Sequence, residues 1–256
     1  MLQENDMYRF FVSKNQIFKA NHSAIITGED VNHIKNVLRM KAGEEISLVV
    51  PDENKEYRCA IKEFSEEQVE CELLFIKENE VELPVEIILY QALPKLDKME
   101  IIIQKAVELG AARIVPVAAK RSVVKLDKDK QGRKLTRWEK IAEAAAKQSK
   151  RGIIPKISEV MTVSEALKDA AECNIRLFPY ELCPAEEMGN TRQIIRNIKP
   201  GDRVAVFIGP EGGFSDEEAE EAVQAGFVPV TLGRRILRTE TAGMVVLSWL
   251  VFELES

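Results

Sequence analysis

The chain has 256 residues, 30% of them charged and only 6% aromatic, with a formal net charge of −6. That balance fits a soluble α/β protein of one large or two modest domains, and it excludes general affinity for nucleic acid, so any RNA contact must come from a local patch. Nothing approaches the roughly 20 apolar residues of a membrane span, and no cleavable apolar leader opens the sequence.

Met1–Asp6 reads as a loose, polar terminus. From Arg9 to about Lys77 short strands dominate: Arg9–Val12, Ala24–Thr27, Glu45–Val50, Tyr57–Phe64 and Val69–Ile76. Alternation is clearest in the last two. One predicted helix, Asp30–Met40, interrupts them, with Val31, Ile34, Val37 and Leu38 as its apolar stripe. A small half-buried barrel with one helix is the economical fold. His33 reads as a residue packed on the helix face, whereas Arg39 and Lys41 are candidates for phosphate contact, set against ordinary solvated charges.

The acidic stretch Glu78–Pro84 ends in proline and separates two styles of pattern, which places a boundary between residues 1–78 and 79–256. Beyond it strands alternate with helices, the pattern of a mostly parallel sheet covered by helices. Strand Val85–Ala92 runs into Leu93-Pro94-Lys95, helix Lys98–Leu109 is closed by Gly110, and Arg113–Val117 is the next strand. Lys120–Lys156 is basic in an otherwise acidic chain, with thirteen Lys and Arg against Asp127, Asp129, Glu139 and Glu143. It reads as a loop around Gln131-Gly132, then a helix from about Thr136 to Ser149. A local excess opposing the global sign favours a phosphate-contacting surface over a merely solvated face. An edge strand at Ile153–Val160 and a helix at Val163–Ala171 follow, and Cys183–Thr191, the least readable segment, is assigned no function. Cys59, Cys71, Cys173 and Cys183 lack C-x-x-C spacing, so they are expected to be reduced thiols in a cytoplasmic protein without a metal site.

The most informative stretch is Ile208–Ala242. Two short apolar runs, Val204–Ile208 and Pro229–Leu232, read as buried parallel strands. Each ends in a glycine loop: Gly209-Pro210-Glu211-Gly212-Gly213-Phe214, and Gly233-Arg234-Arg235-Ile236-Leu237-Arg238. Between them Ser215 and Glu218 form a capping box that opens a helix ended by Gly226. Glycine loops ahead of helices usually cradle phosphate, but this helix opens with Asp216, Glu217 and Glu218, which would repel one. Neither a P-loop ending nor G-x-G-x-x-G is present. A neutral or cationic ligand approached closely by backbone, such as an adenosine attached to a sulfonium, fits better than two merely tight turns. The last helix, Thr241–Leu254, is apolar on nearly every side and so must be buried on more than one face.

Gly209–Ser215 and Leu232–Ala242 resemble the two signature loops of the ribosomal RNA small-subunit methyltransferase E family, SPOUT-class enzymes that methylate uridine N3 in 16S ribosomal RNA. Asn32-His33, Val37–Met40, Gln104–Gly110, Arg121-Ser122, Trp138 and Gln148–Arg151 extend the likeness over nearly the whole chain. Pro94-Lys95-Leu96-Asp97 departs from it, where Arg and Gly are usual in the family. The resemblance implies a PUA-like RNA-binding barrel, a methyltransferase domain with a mostly parallel sheet and a trefoil knot, a homodimer, S-adenosyl-L-methionine as cofactor, and 16S ribosomal RNA within the small subunit as partner. It makes Leu93, Gly209, Pro210, Gly212, Leu232, Gly233, Ile236, Leu237 and Ala242 the cofactor candidates. Uridine N3 must lose a proton before it attacks, so Glu211 or Glu240 is the candidate base, with Arg238 orienting phosphate or stabilising the uridine anion. Glu211 reads equally well as an acceptor for its own loop amides. Arg9, Arg39, Lys41, Arg121 and Arg151 are the candidate RNA contacts. Other readings stay open: a SPOUT-type methyltransferase acting on a ribose 2′-hydroxyl, and a non-catalytic RNA-binding assembly factor. An ATP-using enzyme is disfavoured by the missing lysine and the acidic helix start.

Overall fold

A computed structural model describes residues 7–51, 53, 55–79, 81–122 and 128–255. The terminus Met1–Asp6, and Lys125 and Asp127 of the basic stretch, lie outside the described residues, as do the side chains of Lys128, Asp129 and Lys130. The chain forms two compact units, one of residues 1–82 with 147–154 and the other of 83–146 with 155–256. The first unit therefore runs to Glu82 and takes in a segment that the sequence reading assigned to the second domain. Charge explains its inclusion. Arg151, only 3% exposed, donates to Glu82 at 3.1 Å, and Lys147 reaches Asp30 at 3.0 Å.

In the first unit, strands β1 (Arg9–Phe11), β2 (Ile17–Phe18), β3 (Ser23–Thr27), β4 (Glu45–Val49), β5 (Lys55–Phe64) and β6 (Gln68–Glu78) build a sheet in the order β1-β4-β5-β6-β3-β2. Only the β1–β4 ladder is parallel. The inward positions of the alternating strands (Tyr57, Cys59 and Ile61 on β5; Val69, Cys71 and Leu73 on β6) join Phe10, Ile26, Ile46 and Leu48 in one core. The predicted helix is shorter than expected: α1 (Glu29–Asn32) passes into a π turn over His33–Val37, and Arg39 adopts a left-handed backbone, φ 56°. The wider turn, closed by the Leu38 amide on the His33 carbonyl at 2.9 Å, re-phases the stripe. Leu38 packs against the core while Val37 is left 61% exposed.

The second unit is a seven-stranded, all-parallel sheet. Strands β7 (Glu86–Ala92), β8 (Arg113–Ala118), β10 (Met161–Thr162), β11 (Ile175–Pro179), β12 (Arg203–Ile208) and β13 (Val228–Val230) run in the order β10-β8-β7-β12-β11-β13, and β9 (Lys156–Ile157) pairs with β8 off this path. Ile87–Leu89 and Val204–Phe207 are at most 1% exposed, as strands covered on both faces must be. Helices α2 (Lys98–Glu108), α3 (Lys128–Gln148), α4 (Val163–Asp169), α5 (Met188–Arg196), α6 (Asp216–Gln224) and α7 (Thr239–Leu254) complete the chain. Helix α3 begins well before Thr136, so the expected loop at Gln131-Gly132 is helical. One internal glycine costs about 1 kcal/mol, which its Lys, Arg and Gln neighbours tolerate. The expected edge strand shrinks to Lys156–Ile157, preceded by Pro155, which has no amide to donate. Beyond the predicted elements lie the short strands β2 and β10, strand β11, and helix α5, which starts inside Cys183–Thr191 and runs past it.

Candidate active site

Three strand ends meet in the second unit. Strands β11, β12 and β13 are neighbours in the sheet, and the residues following them line one cavity of about 340 Å³, within the usual range for small-molecule sites. Pro179, Tyr180 and Glu181 come from β11 and its exit; Gly209, Pro210, Glu211, Gly213 and Phe214 follow β12; Thr231–Thr239 and Ala242 follow β13 and open α7.

The first loop is anchored from below. Phe214 is 4% exposed and packs its ring 4.8 Å from Phe207 and 5.0 Å from Phe178. A methyl group at Gly209 would lie 3.0 Å from that ring, so a larger residue there would push against the loop's aromatic anchor. The predicted capping box is present. Ser215 Oγ accepts from the Glu218 amide at 3.2 Å, and Glu218 accepts from the Ser215 amide at 2.9 Å. The other oxygen of the buried Glu218 accepts from the Lys120 amide at 2.7 Å, and the exposed Arg121 donates to the Gly212 carbonyl at 3.1 Å. The chain following β8 is thereby tied to the loop following β12.

A buried hydrogen-bond chain ties the two glycine loops to each other. Gln91 on β7 donates through Nε2 to Thr239 Oγ1 at 2.8 Å, and Thr239 donates to the Gly209 carbonyl at 2.6 Å. Neither residue was singled out from the sequence. The signal for Gln91 was a lone polar side chain inside the apolar run Ile87–Ala92.

The candidate acids converge on one cation. Lys98, at the start of α2, lies 3.1 Å from Glu211 and 3.4 Å from Glu240, and the Lys95 amide donates to Glu211 at 3.1 Å. Partial burial pushes the Glu211 pKa up. Its own amide, Lys98 and the Lys95 amide together outweigh that, so the pKa ends below the usual carboxylate value. Lys98 is correspondingly held above its ordinary value, chiefly by the hydrogen bond to Glu211. Sequence reasoning missed Lys98, although a cation in the first turn of a helix opposes the dipole and so signals an acidic partner.

The structure brings together most of the predicted residues. Gly209, Pro210, Glu211, Leu232, Gly233, Ile236, Leu237, Arg238 and Ala242 line the cavity, with the exposed Arg238 at the N-cap of α7. Leu93 is buried beside the Val117 carbonyl, and Leu93, Gly212 and Glu240 stand outside the cavity lining. In the first unit Arg39 and Lys41 are exposed. Arg9 and Arg151 are buried in ion pairs with Glu56 and Glu82.

The parallel sheet with a cavity across three strand ends defines a class. A family described as an RNA methyltransferase domain matches residues 81–251, and one described as an RNA methyltransferase PUA domain matches residues 26–74. The ribosomal RNA small subunit methyltransferase E of Bacillus subtilis (strain 168) is 36% identical over 252 residues, covering 97% of this chain and 98% of the relative. Its namesake from Mesomycoplasma hyopneumoniae (strain 232) is 37% identical over 242 residues, with 94% and 98% covered. The crystal structure of a ribosomal RNA small subunit methyltransferase E from Neisseria gonorrhoeae, bound to S-adenosyl methionine, superposes with a TM-score of 0.80 at 31% identity, over 94% of this chain and 95% of that one. The chain belongs to the ribosomal RNA small subunit methyltransferase E family. Its fold is a PUA-like domain followed by a SPOUT-type methyltransferase domain.

Proposed function

We propose that the protein uses S-adenosyl-L-methionine to methylate N3 of a uridine in the 16S RNA of the small ribosomal subunit. The observation that carries this reading is the cavity between the two glycine loops. Its lining carries Arg234, Arg235 and Arg238 on the second loop together with Glu181 and Glu211, and no P-loop lysine, and the helix after its first loop opens with three acids. Such a mixed site suits an adenosine whose other end carries both a cationic sulfonium and a carboxylate. The cofactor, when bound, supplies an electrophilic methyl group on a sulfonium.

This chain's residues then have separate tasks. Backbone groups of Gly209, Leu232, Gly233 and Ala242 would hold adenine, with Ile236 and Leu237 against its faces. Pro210 stiffens the first loop, and Leu93 and Gly212 support it from outside the cavity. The N3 proton goes to a carboxylate, Glu211 or Glu240, both beside Lys98, and Arg238 stabilises negative charge on the base. Arg39, Lys41 and Arg121 are the exposed candidates for phosphate contact. For Arg9 and Arg151 to take phosphate, their pairs with Glu56 and Glu82 must open. Among the described residues no helix is long and apolar enough to cross a membrane, and a ribosomal substrate places the protein in the cytoplasm. The outer face of α7 supports a homodimer.

The test begins with calorimetric titration against S-adenosylmethionine and, separately, ATP. Micromolar binding of the first alone is expected. Incubation with small subunits lacking the methyl mark, followed by mass spectrometry of the digested nucleosides, should then yield N3-methyluridine. A ribose-methylated nucleoside would replace the substrate reading, and binding of ATP alone would overturn the cofactor.

A further inference from the structure

The cavity holds one carboxylate to which the mechanism gives no task. Glu181 follows β11, two residues past its last strand position, and lines the cavity beside the first glycine loop. Its Oε1 lies where it would stand 3.0 Å from a methyl group at Gly213, whose own φ is +67°. The backbone angle favours glycine at that position, and the absence of a side chain there leaves the carboxylate close against the loop. The other acid of the cavity, Glu211, is consumed by Lys98 and the Lys95 amide. Among the described residues Glu181 has no hydrogen-bond or ion-pair partner, even though Arg234, Arg235 and Arg238 line the same cavity.

We propose that Glu181 is a cofactor-binding residue that accepts hydrogen bonds from the ribose 2′- and 3′-hydroxyls of the adenosine. This rests on the cofactor reading above and extends it to a residue outside both glycine loops. The assignment follows from sorting the ligand's polar groups. Adenine offers an edge that backbone groups of the glycine loops can match. The amino-acid end carries a carboxylate, which suits the arginines of the second loop, and its ammonium is attached to the same carbon. The ribose hydroxyls are the donors left over, and they need an acceptor at the adenosine end. A carboxylate is acceptor-only and can take both at once. The same division of labour, glycine turn for one part of the ligand and an acid at a neighbouring position for the ribose, is how dinucleotide sites are built.

The experiment is calorimetric titration of the full-length protein and its Glu181→Gln and Glu181→Ala variants with three ligands. S-adenosylmethionine carries sulfonium and ammonium, S-adenosylhomocysteine only the ammonium, and 5′-methylthioadenosine neither, while all three keep the ribose. The expected result is one common loss of affinity for all three, roughly tenfold for Glu181→Ala as for a hydrogen bond to a charged group, and smaller for Glu181→Gln, which keeps one acceptor. Melting temperatures of the ligand-free variants should match the parent, since the side chain is exposed. A loss confined to S-adenosylmethionine would place the carboxylate at the sulfonium, and one spared only by methylthioadenosine would place it at the ammonium; either overturns the ribose assignment. Unchanged affinities would overturn any contact. Failure of the unmutated protein to bind any of the three would sink the cofactor reading itself, which keeps the two failures distinct.

Discussion

Lys98 is the side chain on which both candidate bases depend. A carboxylate is a useful base only while ionised, and Lys98 lies 3.1 Å from Glu211 and 3.4 Å from Glu240; for Glu211 its hydrogen bond is one of the contacts that hold the pKa below the usual value. Lys98→Met would remove the shared partner and let the Glu211 pKa rise. The sign follows: if an ionised carboxylate takes the N3 proton, the acid limb of the pH–rate profile moves to higher pH. Turnover at neutral pH should fall on the order of a hundredfold, as for loss of general-base function, with cofactor affinity changed by less than about threefold because Lys98 is not part of the cavity wall. A profile that keeps its acid limb in place would remove Glu211 from the proton transfer. The thiols are inert by comparison: burial pushes Cys59 and Cys71 up to about 12, so they fill the first unit's core as uncharged side chains.

At the scale of elements, what was legible in the sequence was whatever a local pattern encodes. The apolar runs of β7 and β12, the stripe of α2 and the capping box of α6 all carry their own signals. Strand β11 did not: five residues interrupted by Arg176 and ended by Pro179 resemble a loop, and they form a strand because β12 and β13 flank them. The site divides the same way. Glu211 and Arg238 sit inside recognisable loops, whereas Gln91, Lys98 and Glu181 reach the site only because of the strand order, which no window of sequence displays. The knot came with the family resemblance alone. One tie between elements that sequence could not show is Asp169, at the end of α4, which accepts from Tyr90 on β7 at 2.5 Å and pairs with Arg113 on β8. Partial burial raises its pKa, but the hydrogen bonds from Tyr90 and Arg113 prevail and the folded value is depressed. A depressed carboxylate contributes stability that is fully present above its unfolded pKa of about 3.9 and is lost as pH falls through the folded value. Asp169→Asn should therefore cost about 1–2 kcal/mol at pH 7, in line with a partly buried, hydrogen-bonded charge. That deficit should shrink below about pH 4. Urea unfolding at pH 7 and pH 3 measures both, and a deficit unchanged with pH would mean the asparagine is merely a poor fit.

For the whole molecule the question is how a chain of net charge −6 meets RNA and buries its last helix. Diffuse attraction is unavailable, so under the proposed function RNA would be held by placed cations, for which the exposed Arg39, Lys41 and Arg121 are the candidates, and a second copy of the chain would double that set. The outer face of helix α7 is where the proposed second copy would sit. Val246, Leu247 and Leu250 are at most 1% exposed against the sheet side, yet Phe252 is 76% exposed and Met244, Val245, Trp249 and Val251 are only half-buried. A helix so apolar on its outer face is stable in water only if something covers it. Its first turn also carries Thr239 and Glu240, so a partner seated there would border the cavity. Sedimentation at micromolar concentration should give twice the chain mass, and Phe252→Asp should weaken association at least tenfold, since burying an unpaired carboxylate costs several kcal/mol. If cofactor affinity falls in parallel with dimer dissociation, the site is completed across the interface. If the unmutated chain sediments as a monomer at tens of micromolar, the outer face of α7 is not a subunit interface, and the RNA must be held by one copy alone.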